Sequence, residues 1–226
     1  MLCPCDLDEG SSQALGRAGA KAYFLQMNAY SARGVRAGGQ ADLFAAPILV
    51  PEGFRYQPGL LTTDEETALV TELEGLTFEP FDFHGHLAHR HVVGFGYRYD
   101  YSSRSLRAAE PIPAFLEPLR GKIAAFAGRP ADAFQQVLIN RYRPGAGIGW
   151  HRDKPHFEEV VGVSLLAPCT FRFREKAGER WHRLSVPVEP RSAYLLSGPA
   201  RHVWEHGISP LDQLRYSITL RTMAAH

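Results

Sequence analysis

The chain has 226 residues, of which 45% are hydrophobic and 22% are charged, and its formal net charge is +1. This length allows one well-buried core, so we expect one main domain with an appendage, and the neutral charge excludes a global electrostatic field for nucleic acid. Three scattered cysteines exclude a disulfide framework, and the absence of long apolar runs or a signal-peptide pattern favours a soluble, cytoplasmic protein.

Residues 1–50 are predicted to form a flexible tail. Residues 8–20 are rich in Gly, Ser and Ala, and residues 31–40 are rich in Gly and Arg, so neither stretch has a sustained apolar period. A misassigned translation start explains residues 1–26 as readily as a functional extension does. The main domain is therefore expected to cover residues 51–226.

Two amphipathic helices are predicted next. Thr63 followed by Glu66 is a capping-box pattern, and it indicates a helix over residues 64–76. A second helix is expected between Pro113 and Ala127, with Gly128 as its stop signal. The apolar residues of both segments fall on one helical stripe, as expected for helices that pack on a core: Leu69, Val70, Leu73 and Leu76 in the first, and Phe115, Leu116, Leu119, Ile123 and Phe126 in the second.

Residues 78–108, between these helices, interleave aromatic and basic side chains. Aromatic rings can stack on bases while arginines bind phosphate, so this composition suits contact with a nucleic acid. An equally weighted alternative is that Phe95, Tyr97, Tyr99 and Tyr101 form one face of an ordinary strand.

After Gln135 the apolar period changes from helical to alternating, which indicates short strands separated by turns. The predicted strands cover residues 160–166, 170–174, 181–188, 193–196 and 215–222. Many short strands behind two helices predict a mainly β (α+β) fold, a double-sheet jelly roll with helices packed outside.

His151-Arg152-Asp153 and the distant His206 offer two imidazoles and a carboxylate. This is the ligand set of non-haem Fe(II) oxygenases, which leaves other positions on the metal open. An isolated H-x-D tripeptide is more often a solvated turn, and His202 competes with His206 for the role of third ligand. The His-Gly-Ile context and the spacing to Arg215 favour His206.

The residues around these ligands resemble the AlkB family of 2-oxoglutarate- and Fe(II)-dependent dioxygenases. The family pattern is N-x-Y, H-x-D, a distant H and R-x-x-x-x-x-R, matched here by Asn140, Tyr142, His151, Asp153, His206, Arg215 and Arg221. The resemblance covers roughly residues 60–226 and implies a double-stranded β-helix core. It also implies Fe(II), 2-oxoglutarate and O₂ as cofactor and cosubstrates, with His151, Asp153 and His206 as the catalytic metal ligands.

The cosubstrate site follows from the same resemblance. Arg215 would clamp the distal carboxylate of 2-oxoglutarate with help from Asn140 and Tyr142, and Arg221 would lie near the end that chelates iron. Arginine suits this role because its planar fork can meet a carboxylate through two hydrogen bonds. Residues spaced by two along a strand share a face, so Ser217 and Thr219 are expected to point inward with both arginines.

The resemblance implies oxidative demethylation of N-alkylated nucleobases, with DNA alkylation repair as the first hypothesis. Residues 78–108 would then form the substrate lid, and the candidate substrate contacts are Phe83, His84, Tyr97, Tyr99 and Glu158. Pro155 departs from the family pattern because nucleobase-repairing members usually carry an acidic residue there, although Glu158 or Glu159 could compensate. The alternatives are a dioxygenase acting on RNA (tRNA) or protein, and an inactive nucleic-acid-binding module.

The expected partner is a nucleic acid, methylated DNA before RNA, bound by a monomer that does not interact with a membrane. A second partner is suggested by residues Gln40-Ala41-Asp42-Leu43-Phe44, which resemble the Q-x-[DS]-L-F pentapeptide that holds the bacterial replication sliding clamp. The alternative is that Leu43 and Phe44 pack onto the main domain.

Overall fold

A computed structural model describes residues 49–83, 86–100 and 105–225, and the side chains of these residues except 82, 83 and 86–88. All of these residues belong to one compact unit. Residues 1–48 of the predicted tail, which include the Gln40–Phe44 pentapeptide, lie outside the described residues, and so does His84. The hypotheses about the tail, the pentapeptide and His84 therefore stay predictions. Among the residues described, no helix is both long and apolar enough to cross a membrane.

The chain order alternates little between helix and strand, and strands dominate its second half. The elements are β1 (Phe54–Gln57), α1 (Thr63–Glu74), β2 (Glu79–Phe83), β3 (His86–Phe95), β4 (Tyr97–Asp100), β5 (Ser105–Ala108), α2 (Glu117–Ala127), β6 (Phe134–Tyr142), β7 (Ile148–His151), β8 (Phe157–Leu165), β9 (Cys169–Ala177), β10 (Arg180–Val188), β11 (Ser192–Leu196), α3 (Gly198–His202), β12 (Glu205–Ile208) and β13 (Arg215–Met223). Short 3₁₀ turns at Ala114–Leu116 and Ala131–Ala133 flank α2.

Two antiparallel sheets form the body of the protein. The major sheet has the strand order β1-β11-β8-β13-β6-β3-β2, and the minor sheet has the order β10-β9-β12-β7. One apolar cluster joins the sheets, since it contains Phe54 and Tyr194 of the major sheet with Phe171 and Phe173 of the minor sheet. This arrangement confirms the predicted jelly roll.

The second apolar cluster lies on the other face of the major sheet, where the two long helices pack. Leu73 of α1 and Ile123 of α2 are fully buried there with Ile139 of β6 and Ile218 of β13. Because one sheet face is covered by helices and the other by the minor sheet, β13 is buried along nearly its whole length. The prediction of core helices outside a double sheet is therefore confirmed.

The start of α1 differs by one residue from the prediction. Thr62 caps the helix, its side chain accepts a hydrogen bond from the backbone N–H of Glu65, and the Glu65 carboxylate accepts one from the N–H of Thr62. The predicted pair, Thr63 and Glu66, was wrong because two adjacent threonines offer the same pattern. Glu66 is buried and instead binds the guanidinium of Arg191 at 2.9 Å.

Helix ends and strand ends follow local backbone chemistry. Helix α1 stops at Glu74, two residues before the predicted end, while α2 ends as predicted at Gly128, which adopts a left-handed conformation with φ 72°. The strand predicted over residues 160–166 covers Phe157–Leu165, because Leu166 has a positive φ of 71°. The other predicted strands are confirmed with ends shifted by a few residues.

The segment 78–108 is not one continuous strand. At Gly96, where φ is 78°, β3 ends and β4 begins. Strand β3 pairs with β6 of the major sheet, whereas β4 pairs with β5 in a separate two-stranded ladder. The alternative of one ordinary strand face is therefore wrong for Phe95 and Tyr97, because the glycine redirects the chain between them, while Tyr101 lies outside the described residues.

Gly162 of β8 is required by close packing against Tyr194 of β11. The two residues are register partners, and a Cβ atom on Gly162 would overlap the tyrosine ring. We expect Gly162→Ala to lower the free energy of unfolding by about 1–3 kcal/mol, the usual cost of overpacking a core. Thermal and denaturant unfolding measure this. The matched control is Gly94→Ala in β3, whose Cβ would meet its nearest atom at 3.6 Å; equal losses in both variants would contradict the steric explanation.

Candidate metal centre

Three potential metal ligands meet at the end of the minor sheet that faces the inter-sheet core. His151 is the last residue of β7, Asp153 follows it by two residues, and His206 is on β12, directly opposite His151 in the strand register. One ligand atom from each residue lies within 4.8 Å of the other two. The structure thus brings together the three residues predicted as metal ligands.

Each histidine is held in the neutral form that a metal requires. The Nδ1 atom of His151 lies 2.9 Å from the carbonyl oxygen of Gly149. Since a carbonyl only accepts hydrogen bonds, Nδ1 carries the proton and Nε2 keeps its lone pair. Burial is the largest cause that lowers the pKa of both imidazoles, and the pKa of His206 falls to about 3.

Asp153 is held in its ionised form by an arginine. Burial, the largest single cause, would raise the pKa of this carboxyl group, but the positive charge of Arg221 together with the smaller effects of His206, His151 and Arg201 outweighs burial, and the pKa lies well below its usual range. Arg221 donates from Nε and Nη2 to the same oxygen, Oδ1, at 3.0 and 2.8 Å. The other oxygen, Oδ2, lies 3.6 Å from Nε2 of His206 and faces the ligand cluster.

Arg221 has a structural partner that the sequence did not indicate. Its Nη1 donates to Oε1 of Gln136 at 2.7 Å, across the β13–β6 register. All three guanidinium nitrogens therefore donate hydrogen bonds to Asp153 or Gln136. Arg221 was predicted to lie near the iron-chelating end of the cosubstrate; it does line the cavity at the ligand cluster, where its hydrogen bonds position Asp153.

A narrow cavity between the sheets opens at the three ligands. Tyr142, Ser217 and Thr219, all predicted cosubstrate contacts, line it. The sequence analysis did not single out the apolar part of the lining, which consists of Ile148, Val160, Phe171, Tyr194, Leu196 and Ile208. Burial raises the pKa of Tyr194 well above its usual range, so its hydroxyl stays protonated.

Arg215 is a buried cation with free donors. Its side chain is fully buried, Nε donates to Oγ of Ser164 at 2.9 Å, and neither Nη atom has a hydrogen-bond partner among the residues that the structure describes. The guanidinium carbon lies 5.2 Å from the ring centroid of Tyr142. A buried guanidinium with two unpaired donors requires an anion, so a carboxylate of a small acid fits this position.

Asn140 has a hydrogen-bond partner that the sequence analysis did not name. It is buried on β6, opposite Ser217 of β13, and its side-chain oxygen accepts a hydrogen bond from Nε of Arg90 at 3.3 Å. Its predicted contact with the cosubstrate stays a prediction. Ser164, which hydrogen-bonds to Arg215, was also not predicted, and the pairing of β8 with β13 reveals it, since Ser164 stands opposite Ser217.

Tyr99, one of the candidate substrate contacts, has two neighbours from the segment after Asp153. Lys154 Nζ lies 4.7 Å from the ring centroid of Tyr99, and the ring of His156 lies 5.4 Å from the same ring. Tyr99 therefore lies beside the segment that follows Asp153. Tyr97 is half-buried on the same strand, while the side chain of Phe83 lies outside the described part of the chain.

The acidic residues proposed to compensate for Pro155 have other partners. Glu158 lies 3.2 Å from Nε2 of His202, and Glu159 forms an ion pair with Arg129 at 2.9 Å. Neither lines the cavity. His202 is exposed and lies outside the ligand cluster, whereas His206 lies within it. Of the two candidates for the third metal ligand, the geometry therefore favours His206.

Comparison with known proteins gives a consistent result. Residues 53–221, within the predicted domain 51–226, match the family model of the 2OG-Fe(II) oxygenase superfamily. An Arabidopsis thaliana protein named alkylated DNA repair protein ALKBH8 homolog is 28% identical over 221 residues, which cover 82% of this chain and 62% of that protein. The Escherichia coli alpha-ketoglutarate-dependent dioxygenase AlkB is 31% identical over 138 residues, which cover 54% of this chain and 62% of AlkB.

A mammalian relative and a solved structure extend this comparison. The Mus musculus tRNA (carboxymethyluridine(34)-5-O)-methyltransferase ALKBH8 is 28% identical over 171 residues, which cover 71% of this chain and 25% of that protein. The chain thus spans only part of these relatives. The structure of OsALKBH1 superimposes with a TM-score of 0.58 over 78% of this chain and 99% of that chain at 19% identity, which supports the fold.

Proposed function

The chain belongs to the 2OG-Fe(II) oxygenase superfamily as an AlkB-like, Fe(II)- and 2-oxoglutarate-dependent dioxygenase, and from this premise we propose that it oxidatively demethylates N-alkylated nucleobases. One observation carries the proposal: the neutral His151 and His206 and the ionised Asp153 cluster at a cavity, and Arg215, buried with two free donors, lies beside the ring of Tyr142, which lines that cavity. This combination provides for a divalent metal and for an organic dianion.

The bound Fe(II), with 2-oxoglutarate and O₂, supplies oxidation of a C–H bond, while 2-oxoglutarate is converted to succinate and CO₂. When the oxidised carbon is a methyl group on a ring nitrogen, the hydroxymethyl product loses formaldehyde and the base is restored. In this proposal His151, Asp153 and His206 hold the metal, Arg221 orients Asp153, and Arg215 with Tyr142 binds the distal carboxylate. Phe171 and Tyr194 exclude water from the cavity.

We propose DNA as the first substrate. The name of the Arabidopsis relative, alkylated DNA repair protein ALKBH8 homolog, supports alkylated DNA, and the name of the bacterial relative supports a 2-oxoglutarate-dependent dioxygenase reaction. The second candidate is tRNA, which is favoured by the name of the mouse relative, although this chain covers only 25% of that protein. The segment after the metal ligand Asp153 does not favour either candidate, because Pro155 is not acidic and Glu158 and Glu159 have other partners, so among the described residues Asp153 is the carboxylate that lines the cavity.

A substrate panel tests the proposed function. Succinate release is measured with methylated single-stranded DNA, methylated duplex DNA, tRNA and a protein extract, each against a no-substrate control. We expect the largest stimulation with methylated single-stranded DNA, because an exposed base avoids an unstacking cost of about a few kcal/mol. Formaldehyde release identifies demethylation. Stimulation by tRNA alone would favour the second candidate, and stimulation by protein alone would contradict a nucleobase substrate.

A further inference from the structure

The outward face of the minor sheet carries a cluster of arginine and tryptophan side chains that the metal centre does not use. Along β9, Cys169, Phe171 and Phe173 are buried, so the alternation of the strand places Arg172, Arg174 and Lys176 on the opposite, outward side. In the paired strand β10, Arg183 lies opposite Arg174 and Trp181 lies opposite Lys176. These five residues and Trp150 of β7 are called the arginine–tryptophan face.

The side chains of this face stack on one another. The guanidinium carbon of Arg174 lies 4.7 Å from the ring centroid of Trp150 and 4.2 Å from that of Trp181, so Arg174 contacts both tryptophans. Arg172 lies 4.9 Å from the Trp150 ring. Gly207 of β12 is the register partner of Arg172 and has no side chain, which leaves room for Trp150 to approach Arg172 from the neighbouring strand. These stacks orient planar groups on the surface.

Positive charge predominates on the arginine–tryptophan face. It contains four cations, Arg172, Arg174, Lys176 and Arg183, on a chain whose formal net charge is only +1. On the outward side of the four strands of this sheet, all of which the structure describes, the acidic residue is Glu205, and Arg174 Nε binds it at 2.6 Å. Arg172 Nε makes no hydrogen bond within the described structure. Lys176, Trp181 and Arg183 are exposed, Trp181 at 37%.

We propose that the arginine–tryptophan face binds single-stranded nucleic acid outside the metal centre, with Lys176 and Arg183 contacting phosphates and the exposed surface of Trp181, which Arg174 supports from beneath, stacking on bases. A row of cations interleaved with exposed planar groups on an open sheet is the combination that single strands recognise. An acidic peptide would use the cations but not the stacking surfaces. The face is continuous with the site through β7, since Trp150 points outward and the next residue, His151, points to the ligand cluster.

The inference relies on the proposed function only for the choice of a nucleic-acid ligand, and binding rather than turnover tests it. The full chain, without added iron, is titrated into fluorescein-labelled, unmodified oligo(dT) and oligo(U) of about 15 nucleotides, and fluorescence polarisation is followed from low to moderate salt. The test variant, Lys176→Gln with Arg183→Gln, removes two exposed charges and leaves the Trp150–Arg174–Trp181 stack intact. The matched control, Arg55→Gln with Lys122→Gln, removes two charges beside α2.

We expect the test variant to weaken binding roughly tenfold and to reduce the slope of log K against log salt by about 1.4, because each lost phosphate contact on a single strand accounts for about 0.7. Trp181→Ala should also weaken binding, by roughly tenfold, with the salt slope unchanged because stacking is not ionic. The control variant should bind like the unsubstituted protein. Circular dichroism and thermal unfolding verify that all variants are folded.

Three outcomes would overturn the proposal. Unchanged binding of the test variant would show that the nucleic acid binds elsewhere. Equal weakening of the test and control variants would indicate nonspecific electrostatic attraction rather than a defined binding surface. Competition by polyglutamate as effective as that by unlabelled oligonucleotide, together with no effect of Trp181→Ala, would identify an acidic protein as the partner. If the proposed demethylation is wrong, nucleic acid still binds through this face, but methylated nucleic acid does not stimulate succinate release by the protein.

Discussion

Replacing His151 by alanine is expected to abolish turnover and to leave the fold intact. The imidazole is one of the three proposed metal ligands, and its Nδ1 hydrogen-bonds to the backbone carbonyl of Gly149, two residues away. Loss of this ring therefore removes a ligand without leaving a charge unpaired. Succinate release in metal-controlled buffer measures activity, and thermal unfolding of the iron-free protein measures the fold. Activity of His151→Ala near that of the unsubstituted enzyme would contradict the assignment of the metal ligands.

Asp153→Ala should differ from His151→Ala in stability. Both remove a metal ligand, but the carboxylate of Asp153 also pairs with Arg221, and both side chains are 9% exposed. Removing one partner of a buried ion pair costs about 3–5 kcal/mol, because the other charge stays buried. Adding Arg221→Met to Asp153→Ala should recover part of this loss without restoring activity. Asp132→Ala, at an exposed carboxylate on a surface turn, is the control for losing an acidic side chain.

Local patterns were sufficient to predict the fold class, the two long helices and the strands β8, β9, β10, β11 and β13. The apolar stripes of α1 and α2 and the alternation along β8, β9 and β13 are properties of consecutive residues, and the elements form where these patterns occur. The start of α1 could not be fixed, since Thr62 and Thr63 are equivalent capping candidates and only tertiary contacts of Glu66 decide between them. Gly96 was overlooked as a break because the aromatic alternation continues across it.

The ligands of the candidate metal site were predictable, but their supporting residues were not. His151, Asp153, His206, Arg215 and Arg221 are recognised by type and spacing, as are Ser217 and Thr219 on the face of β13. Gln136 hydrogen-bonds to Arg221, Ser164 to Arg215, and Arg90 to Asn140. The members of each pair lie on different strands and become neighbours only through the register of the sheet. A polar residue within an apolar run, such as Ser164, was the available signal, yet it does not reveal which residue it contacts.

Arg215→Lys is expected to weaken 2-oxoglutarate binding by about 1–3 kcal/mol, the usual contribution of a hydrogen bond to a charged group. Lysine keeps the positive charge, but it lacks the planar fork whose Nε is fixed by Ser164 and whose two Nη atoms are free. The shorter reach of one ammonium group cannot satisfy Ser164 and a carboxylate with the same geometry. Isothermal titration calorimetry of the metal-loaded protein with 2-oxoglutarate measures the affinity directly.

The control for Arg215→Lys is Arg201→Lys, which alters another buried arginine of the same size. Arg201 is 2% exposed, and its Nη2 donates to the backbone carbonyl of Phe157 at 2.8 Å, so its role is to hold the chain beside the metal centre. This variant should lose stability while its 2-oxoglutarate affinity falls less than that of Arg215→Lys. Ser164→Ala should give a smaller loss of affinity than Arg215→Lys, because the guanidinium remains but its orientation is no longer fixed. If Arg215→Lys binds 2-oxoglutarate as tightly as the unsubstituted protein, another cation holds the distal carboxylate, and the free donors of Arg215 serve a different anion.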